Sequence, residues 1–194
     1  MNDIIRIFGF AGSLRKGSYN KAILRAALEL VPDDAELETF DLEGIPPFNQ
    51  DQDKDPPAKV KEFKSGIRAA DAILIATPEH NYSIPGVLKN AIDWASRPYA
   101  ENAFDGKPLG IMGASPGMLG TARAQYDLRR SCVFLNMYPL NRPEVMVPYC
   151  EDKIDQSGRV TDGHTRDKIR QLLQALVTWT RRLRAAEYAE QATY

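Results

Sequence analysis

The feature that most constrains this chain is a repeated alternation of short apolar runs with stretches of helical spacing. The runs Ile4–Phe10, Asp71–Thr77, Lys107–Ala114 and Glu144–Val147 are largely continuous in apolar character, and Glu36–Leu42 alternates weakly. Between them lie Lys21–Leu30, with Ala22, Ile23, Ala26, Ala27 and Leu30 at helical spacing, and Pro57–Ala70, with proline in its first turn. A further helix starts at Pro85 and puts Val87, Leu88, Ala91, Ile92 and Ala95 on one face. Another runs from Ala122 to about Met137, and a long amphipathic helix covers Thr165–Glu187. A strand that is apolar along its whole length is buried on both faces. Strands of that kind alternating with helices require a parallel sheet wound by right-handed crossovers.

Five strands within 194 residues favour the strand order 2-1-3-4-5 over the six-stranded dinucleotide fold. The expected architecture is a flavodoxin-like, three-layer α/β/α sandwich around a five-stranded parallel sheet, with residues 1–194 as a single domain. The length agrees with that, at about 150 residues per domain. Lysine and arginine total 25 against 26 acidic residues, a net charge of −1. That balance lacks the basic excess of a nucleic-acid binder. Two cysteines, Cys132 and Cys150, cannot build a disulfide framework or a four-thiolate metal site. The segment Met1–Ile7 lacks the basic and apolar regions of a secretory leader. No run approaches the ~18 apolar residues of a membrane span. These readings predict a cytoplasmic protein without nucleic-acid or membrane partners.

Ligands of such sheets bind beyond the carboxyl ends of the strands, at the point where strand order reverses. Three loops are expected there: Gly12–Asn20, Pro78–Ser83 and Ser115–Gly120. The first has the glycine spacing of a Walker A loop, but Ser18-Tyr19 stands where lysine and a hydroxyl residue are required. Gly9, Gly12 and Gly17 do not form the dinucleotide fingerprint either. The pattern suits a monophosphate: Ser13, Ser18 and the N–H groups entering the helix can donate, Arg15 adds charge, and Asn20 can cap the helix. A capped turn with solvated basic residues is the alternative.

The second loop, Thr77-Pro-Glu-His-Asn-Tyr-Ser-Ile-Pro-Gly86, is a rigid segment exposing Asn81, Tyr82 and backbone amides between two prolines. A planar ring can lie against it, although a stiff helix entry would look the same. Glu79 beside His80 resembles a catalytic pair, but no nucleophile elbow accompanies it. The third loop, Ser115-Pro-Gly-Met-Leu-Gly120, has small residues near the strand end, which let a flat ligand approach the backbone. Together the loops offer a phosphate end and a ring end, the outline of a flavin mononucleotide.

The elements Gly12-Ser-Leu-Arg15…Ser18-Tyr-Asn20, Thr77–Trp94 and Ser115-Pro-Gly117…Ala122-Arg-Ala-Gln125 closely resemble the NADPH-dependent FMN reductase family, which contains bacterial quinone, chromate and azo-dye reductases. The likeness runs in order over almost the whole chain. It implies FMN as cofactor, with Ser13, Arg15, Ser18, Tyr19 and Asn20 at the phosphate. It places Pro78, Glu79, His80, Asn81, Tyr82 and Ser83, with Ser115 and Gly117, around the ring and ribityl chain. His80 stands where many members carry tyrosine. The family reaction moves a hydride from NADPH or NADH to FMN and then two electrons to a small-molecule acceptor, in ping-pong order. The cofactor does the chemistry, and backbone amides of residues 79–83 are expected near the ring edge. A flavodoxin-type electron carrier or a non-enzymatic FMN-binding module is the alternative, and the near-neutral charge argues against a carrier steered to redox partners.

The resemblance also implies a homodimer or homotetramer. The interface is expected around Leu88–Trp94 and Arg123–Phe134, with Arg123, Tyr126 and Glu144 as an intersubunit polar network. The acidic loop Gly44–Asp55 is expected to border a neighbouring subunit's acceptor pocket.

Overall fold

The structure is a computed structural model that describes residues 4–191. The leader reading above begins at Met1, and positions 1–3 lie outside the described residues. Strands β1 (Ile5–Ala11), β2 (Ala35–Phe40), β3 (Ala72–Ala76) and β4 (Pro108–Ala114) pair in parallel in the order β2-β1-β3-β4. Helices α1 (Tyr19–Leu30), α2 (Ala58–Ala69), α3 (Gly86–Ala95) and α4 (Ala122–Leu135) make the crossovers, and α5 (Gly163–Gln191) closes the fold.

The fifth position of the sheet departs from expectation. It holds two short strands: β5 (Tyr138–Pro139), beside the start of β4, and β6 (Val145–Val147), beside its end. The sequence predicted one strand at Glu144–Val147, which is β6. Pro139 and Pro143 have no N–H to give a ladder, so a continuous edge strand through 138–147 cannot form. The sheet therefore keeps the 2-1-3-4-5 order with its last position divided.

Several helix ends also differ from expectation, α5 running from Gly163 to Gln191 rather than from Thr165 to Glu187. Helix α1 begins at Tyr19, capped by Ser18, whose Oγ accepts the Lys21 N–H at 3.2 Å. Asn20 was expected as that cap and instead lies inside the first turn. Helix α4 stops at Leu135 rather than near Met137. Asn136 there adopts a left-handed backbone (φ 52°) and returns its N–H to the Cys132 carbonyl. Asparagine tolerates that conformation better than most residues.

Two apolar layers sandwich the sheet. On one face Ile5, Ile7, Leu74 and Met112 pack under α1 and α5. On the other, Phe8, Phe10, Ile73 and Ile75 pack under α2, α3 and α4. Phe8, Phe10, Phe40 and Phe63 form a cluster of tilted and edge-on rings with centroids 5.1 to 6.2 Å apart. Burying such rings contributes ~2 kcal/mol or more each. This thick core sets the carboxyl edges of β1, β3, β4 and β6 side by side. No helix among the described residues is long and apolar enough to cross a membrane.

Candidate functional site

The loops after β1, β3 and β4 meet at that carboxyl edge and are tied to one another. Gly12 donates to the Ala76 carbonyl (2.9 Å), and Thr77 donates to Met112 (2.9 Å). Ser115 donates to Val147 (3.0 Å), and Cys150 donates to Ser115 (3.2 Å). A Cβ on Gly113 would lie 2.5 Å from the Thr77 carbonyl oxygen and 1.9 Å from Thr121 Oγ1, so only glycine admits this approach of loop to loop. Every residue singled out from the sequence, from Ser13 to Gly117, lies on these loops or on the first turn of α1.

In the first loop the backbone N–H groups of residues 13–17 make no hydrogen bond within the described chain, apart from any ligand. Ser18 is buried and occupied as the cap of α1. Asn20 is also buried, and its amide bridges both backbone groups of Ala114, donating to the carbonyl and accepting from the N–H at 3.0 Å each. It locks α1 onto the end of β4 instead of facing outward. Arg15 is exposed, its guanidinium 5.4 Å from the centroid of the Tyr19 ring. Tyr19 donates its hydroxyl to Glu151 Oε1 (3.2 Å). Desolvation first, then the bond to Glu151, raises its pKa above the ordinary phenol value, so it remains a donor at neutral pH.

Glu151 belongs to the segment after β6, which the sequence reading left out of the site. With Arg15, Lys16, Ser18, Tyr19 and Arg25 it lines a groove of about 430 Å³. A signal for it was available: in an all-parallel sheet every strand ends at the same edge, so the loop after β6 had to arrive there too.

The second loop is a two-residue reverse turn. His80 and Ser83 exchange both backbone hydrogen bonds at 3.0 Å, and Asn81 (φ 51°) and Tyr82 (φ 67°) between them are left-handed. Holding a tyrosine there costs on the order of 1 kcal/mol. The N–H groups of Glu79, Asn81 and Tyr82 make no hydrogen bond among the described residues. The Glu79 side chain turns away from His80 to the start of α4. There it accepts from the Arg123 N–H (3.0 Å), Arg123 Nε (2.5 Å) and the Ala124 N–H (3.3 Å). Arg123 in turn lies 3.6 Å from the Tyr82 ring centroid, and Ser83 donates to Asp127.

In the third loop Ser115 Oγ accepts the Gly117 N–H (3.1 Å), and Met118 and Leu119 are exposed. Burial raises both thiols, Cys132 and Cys150, to a pKa of about 11, so neither is a thiolate nucleophile at neutral pH.

A doubly wound parallel sheet with donor-rich loops at its switch point defines a mononucleotide-binding α/β protein of the flavodoxin type. The sequence model of the NADPH-dependent FMN reductase family matches residues 5–152. An NAD(P)H-dependent FMN reductase from Pseudomonas aeruginosa is 55% identical over 186 residues, covering 95% of this chain and all of that protein. A 2-hydroxy-1,4-benzoquinone reductase from Burkholderia is 41% identical, covering 91% of this chain and 97% of its own. Among solved structures, the flavoenzyme NAD(P)H:(acceptor) oxidoreductase FerB from Paracoccus denitrificans superposes with a TM-score of 0.84. It is 34% identical, over 92% of this chain and 98% of its own. The chain belongs to the NADPH-dependent FMN reductase family. It is an NAD(P)H-dependent flavin oxidoreductase with a small-molecule electron acceptor.

Proposed function

We propose that the three loops hold FMN with its phosphate at residues 13–20 and its ring between residues 78–83 and 115–117, and that the acceptor is a quinone. One observation carries the placement. Two sets of unpartnered backbone donors, at residues 13–17 and at Glu79, Asn81 and Tyr82, lie at one carboxyl edge. The residues fit the group. The first set lies in the loop that enters the N-terminus of α1, beside the Ser13 hydroxyl and the Arg15 cation, as a phosphate dianion requires. The second set is neutral and fixed, as suits the carbonyl and nitrogen edge of a ring. FMN, when bound, supplies the hydride and electron chemistry.

The chain's own work is binding and orientation. Arg15 neutralises charge, Ser18 caps α1, and Asn20 fixes that helix relative to β4. The rigid turn at Asn81–Tyr82 spares the ordering cost of donors that would otherwise have to be assembled. The quinone assignment is supported by the relatives whose names specify it, including quinone reductases of Pseudomonas putida and Escherichia coli. The reading takes residues 1–194 as one FMN-binding domain acting in the cytoplasm. Two buried, unpaired cysteines agree with a reducing compartment.

It also takes the assembly to be a homodimer or homotetramer through the outer face of α4, where Val133 is 85% and Phe134 66% exposed; α3, the other helix expected there, instead buries Leu88, Ala91, Ile92 and Trp94 within its own chain. The polar residues expected to bridge subunits are partnered within the chain: Arg123 with Glu79, and Tyr126 with Glu144 at 3.1 Å. The loop expected to reach a neighbour is pinned to its own α3. Asn90 accepts the Phe48 N–H (2.7 Å) and donates to the Pro46 carbonyl (2.9 Å), which also takes the Trp94 indole N–H (2.8 Å).

Purified protein is expected to be yellow, to bleach with NADPH under anaerobic conditions and to recolour on adding a benzoquinone. A colourless protein that ignores added FMN overturns the reading. Bleaching with recolouring by free flavin but not by quinones overturns the acceptor alone.

A further inference from the structure

We infer that Glu79 is a positioning residue: its carboxylate, clamped to the start of α4, holds the Asn81–Tyr82 turn so that the turn's amides are presented to the flavin ring edge. The inference rests on the proposed placement of FMN.

The start of α4 makes such a clamp necessary. Thr121, at the cap position, has a left-handed backbone (φ 74°) and offers no side-chain cap. Gly120 before it is also left-handed (φ 53°), so the chain enters the helix through two consecutive unusual residues. The first-turn N–H groups need an acceptor from elsewhere. Glu79 supplies it from 44 residues away, one oxygen taking the N–H groups of Arg123 and Ala124 and the other the Arg123 side chain. Its side chain is only 9% exposed, while its Arg123 partner is 41% exposed.

The same arginine continues the chain of contacts to the turn. Arg123 stacks on the Tyr82 ring at 3.6 Å, and Tyr82 is otherwise 70% exposed, with little other packing to fix it. Ser83 is fastened to Asp127 one turn further along α4. The left-handed pair Asn81–Tyr82 is thus held at both ends by one helix: through Glu79 and Arg123 before it, and through Ser83 after it. A turn that costs energy at Tyr82 persists only where its surroundings overdetermine it. Releasing the clamp frees the turn to relax, and the unpartnered amides of Asn81 and Tyr82 relax with it. The negative charge needed for this sits at the positive, N-terminal end of α4.

The test compares flavins on the full-length chain, freed of flavin and reloaded. FMN and 5-deaza-FMN differ at ring position 5, where the latter lacks the acceptor nitrogen. FMN and riboflavin differ only at the phosphate. Wild type is expected to bind FMN about fivefold tighter than 5-deaza-FMN, the worth of one neutral hydrogen bond. In Glu79→Gln that preference is expected to fall below about twofold, while the preference for FMN over riboflavin stays unchanged. A variant that loses both preferences together, or neither, overturns the inference, since a merely structural role would not select the ring end.

Should Glu79→Gln fail to fold, Arg123→Met removes the side-chain link from Glu79 to Tyr82 at a partly exposed position and leaves both backbone N–H bonds to Glu79 in place. It is expected to narrow the same preference, and an unchanged preference overturns the inference. Wild type that binds FMN but without preference over 5-deaza-FMN also overturns it. Wild type that binds no FMN overturns the placement of the cofactor itself, a result separate from the others.

Discussion

Asn20 shows how one side chain can decide where two loops meet. It is almost wholly buried, and its amide satisfies both backbone groups of Ala114, 94 residues away. Replacing it with alanine leaves a buried donor and a buried acceptor without partners, at about 1–3 kcal/mol each. Asn20→Ala is therefore expected to lower unfolding free energy by about 2–4 kcal/mol, read from the urea midpoint at unchanged slope. A loss below about 1 kcal/mol would show that the bridge does not hold α1 to β4. Arg15 is the contrasting case, exposed and stacked only loosely near Tyr19. Arg15→Ala is expected to leave stability within about 0.5 kcal/mol and to weaken FMN binding by about 1.5–3 kcal/mol, the range for a charge-assisted hydrogen bond. Titration showing unchanged affinity would remove Arg15 from the phosphate site. Both residues were legible as members of the first loop, because small, polar and basic types cluster there. Their separate jobs were not, because a cap, a phosphate donor and a bridge to a distant strand all call for the same amide or hydroxyl.

Elements were legible where periodicity was strong. The runs at β1, β3 and β4 and the helical spacing of α1, α3 and α5 placed these six elements to within a few residues. The last sheet position was not, since two- and three-residue strands carry too few side chains to set a period, and Pro139 and Pro143 divide them. The start of α4 was read at Ala122, where it lies, but its cap was not legible, because it comes from Glu79 in another loop. Helix α5 begins at Gly163 rather than at the expected Thr165, and its cap lies in its own segment. Asp162 Oδ2 accepts the Thr165 hydroxyl (2.6 Å) and N–H (2.7 Å). The hydroxyl bond first, then the N–H bond, lowers the Asp162 pKa below the ordinary carboxylate value. A carboxyl with a lower pKa folded than unfolded stabilises when ionised, above the unfolded value of about 3.9, and loses that contribution as pH falls through the folded value. Asp162→Ala is expected to cost about 1 kcal/mol at pH 7. The gap to wild type should narrow below about pH 4 in urea titrations at several pH values. A gap independent of pH would mean that packing, not the charged cap, carries the effect.

For the whole molecule, net charge and surface shape point the same way. A chain with net charge −1 has no long-range field to steer a charged protein partner, so its contacts must be made by shape and apolar surface. Helix α4 supplies such a surface. Its inner side buries Leu128, Cys132 and Leu135, while Tyr126, Val133 and Phe134 face outward. Phe134 extends the patch to Tyr99, whose ring it meets edge-on at 6.2 Å, and Arg97 lies 4.0 Å over that ring. Exposed aromatic and aliphatic groups gathered on one face mark an association site more often than chance surface. Val133 is the cleanest probe because, at 85% exposed, its replacement leaves the core untouched. Light scattering after gel filtration is expected to give wild type a mass two or four times the 21.7 kDa of one chain. Val133→Glu should shift that mass toward 21.7 kDa with little change in the urea midpoint, because a buried, unpaired carboxylate at a contact costs several kcal/mol. A wild-type mass of one chain, or a variant that assembles as wild type does, would move the contact off α4. In that event the aromatic patch would need a different explanation from the pairing of identical chains.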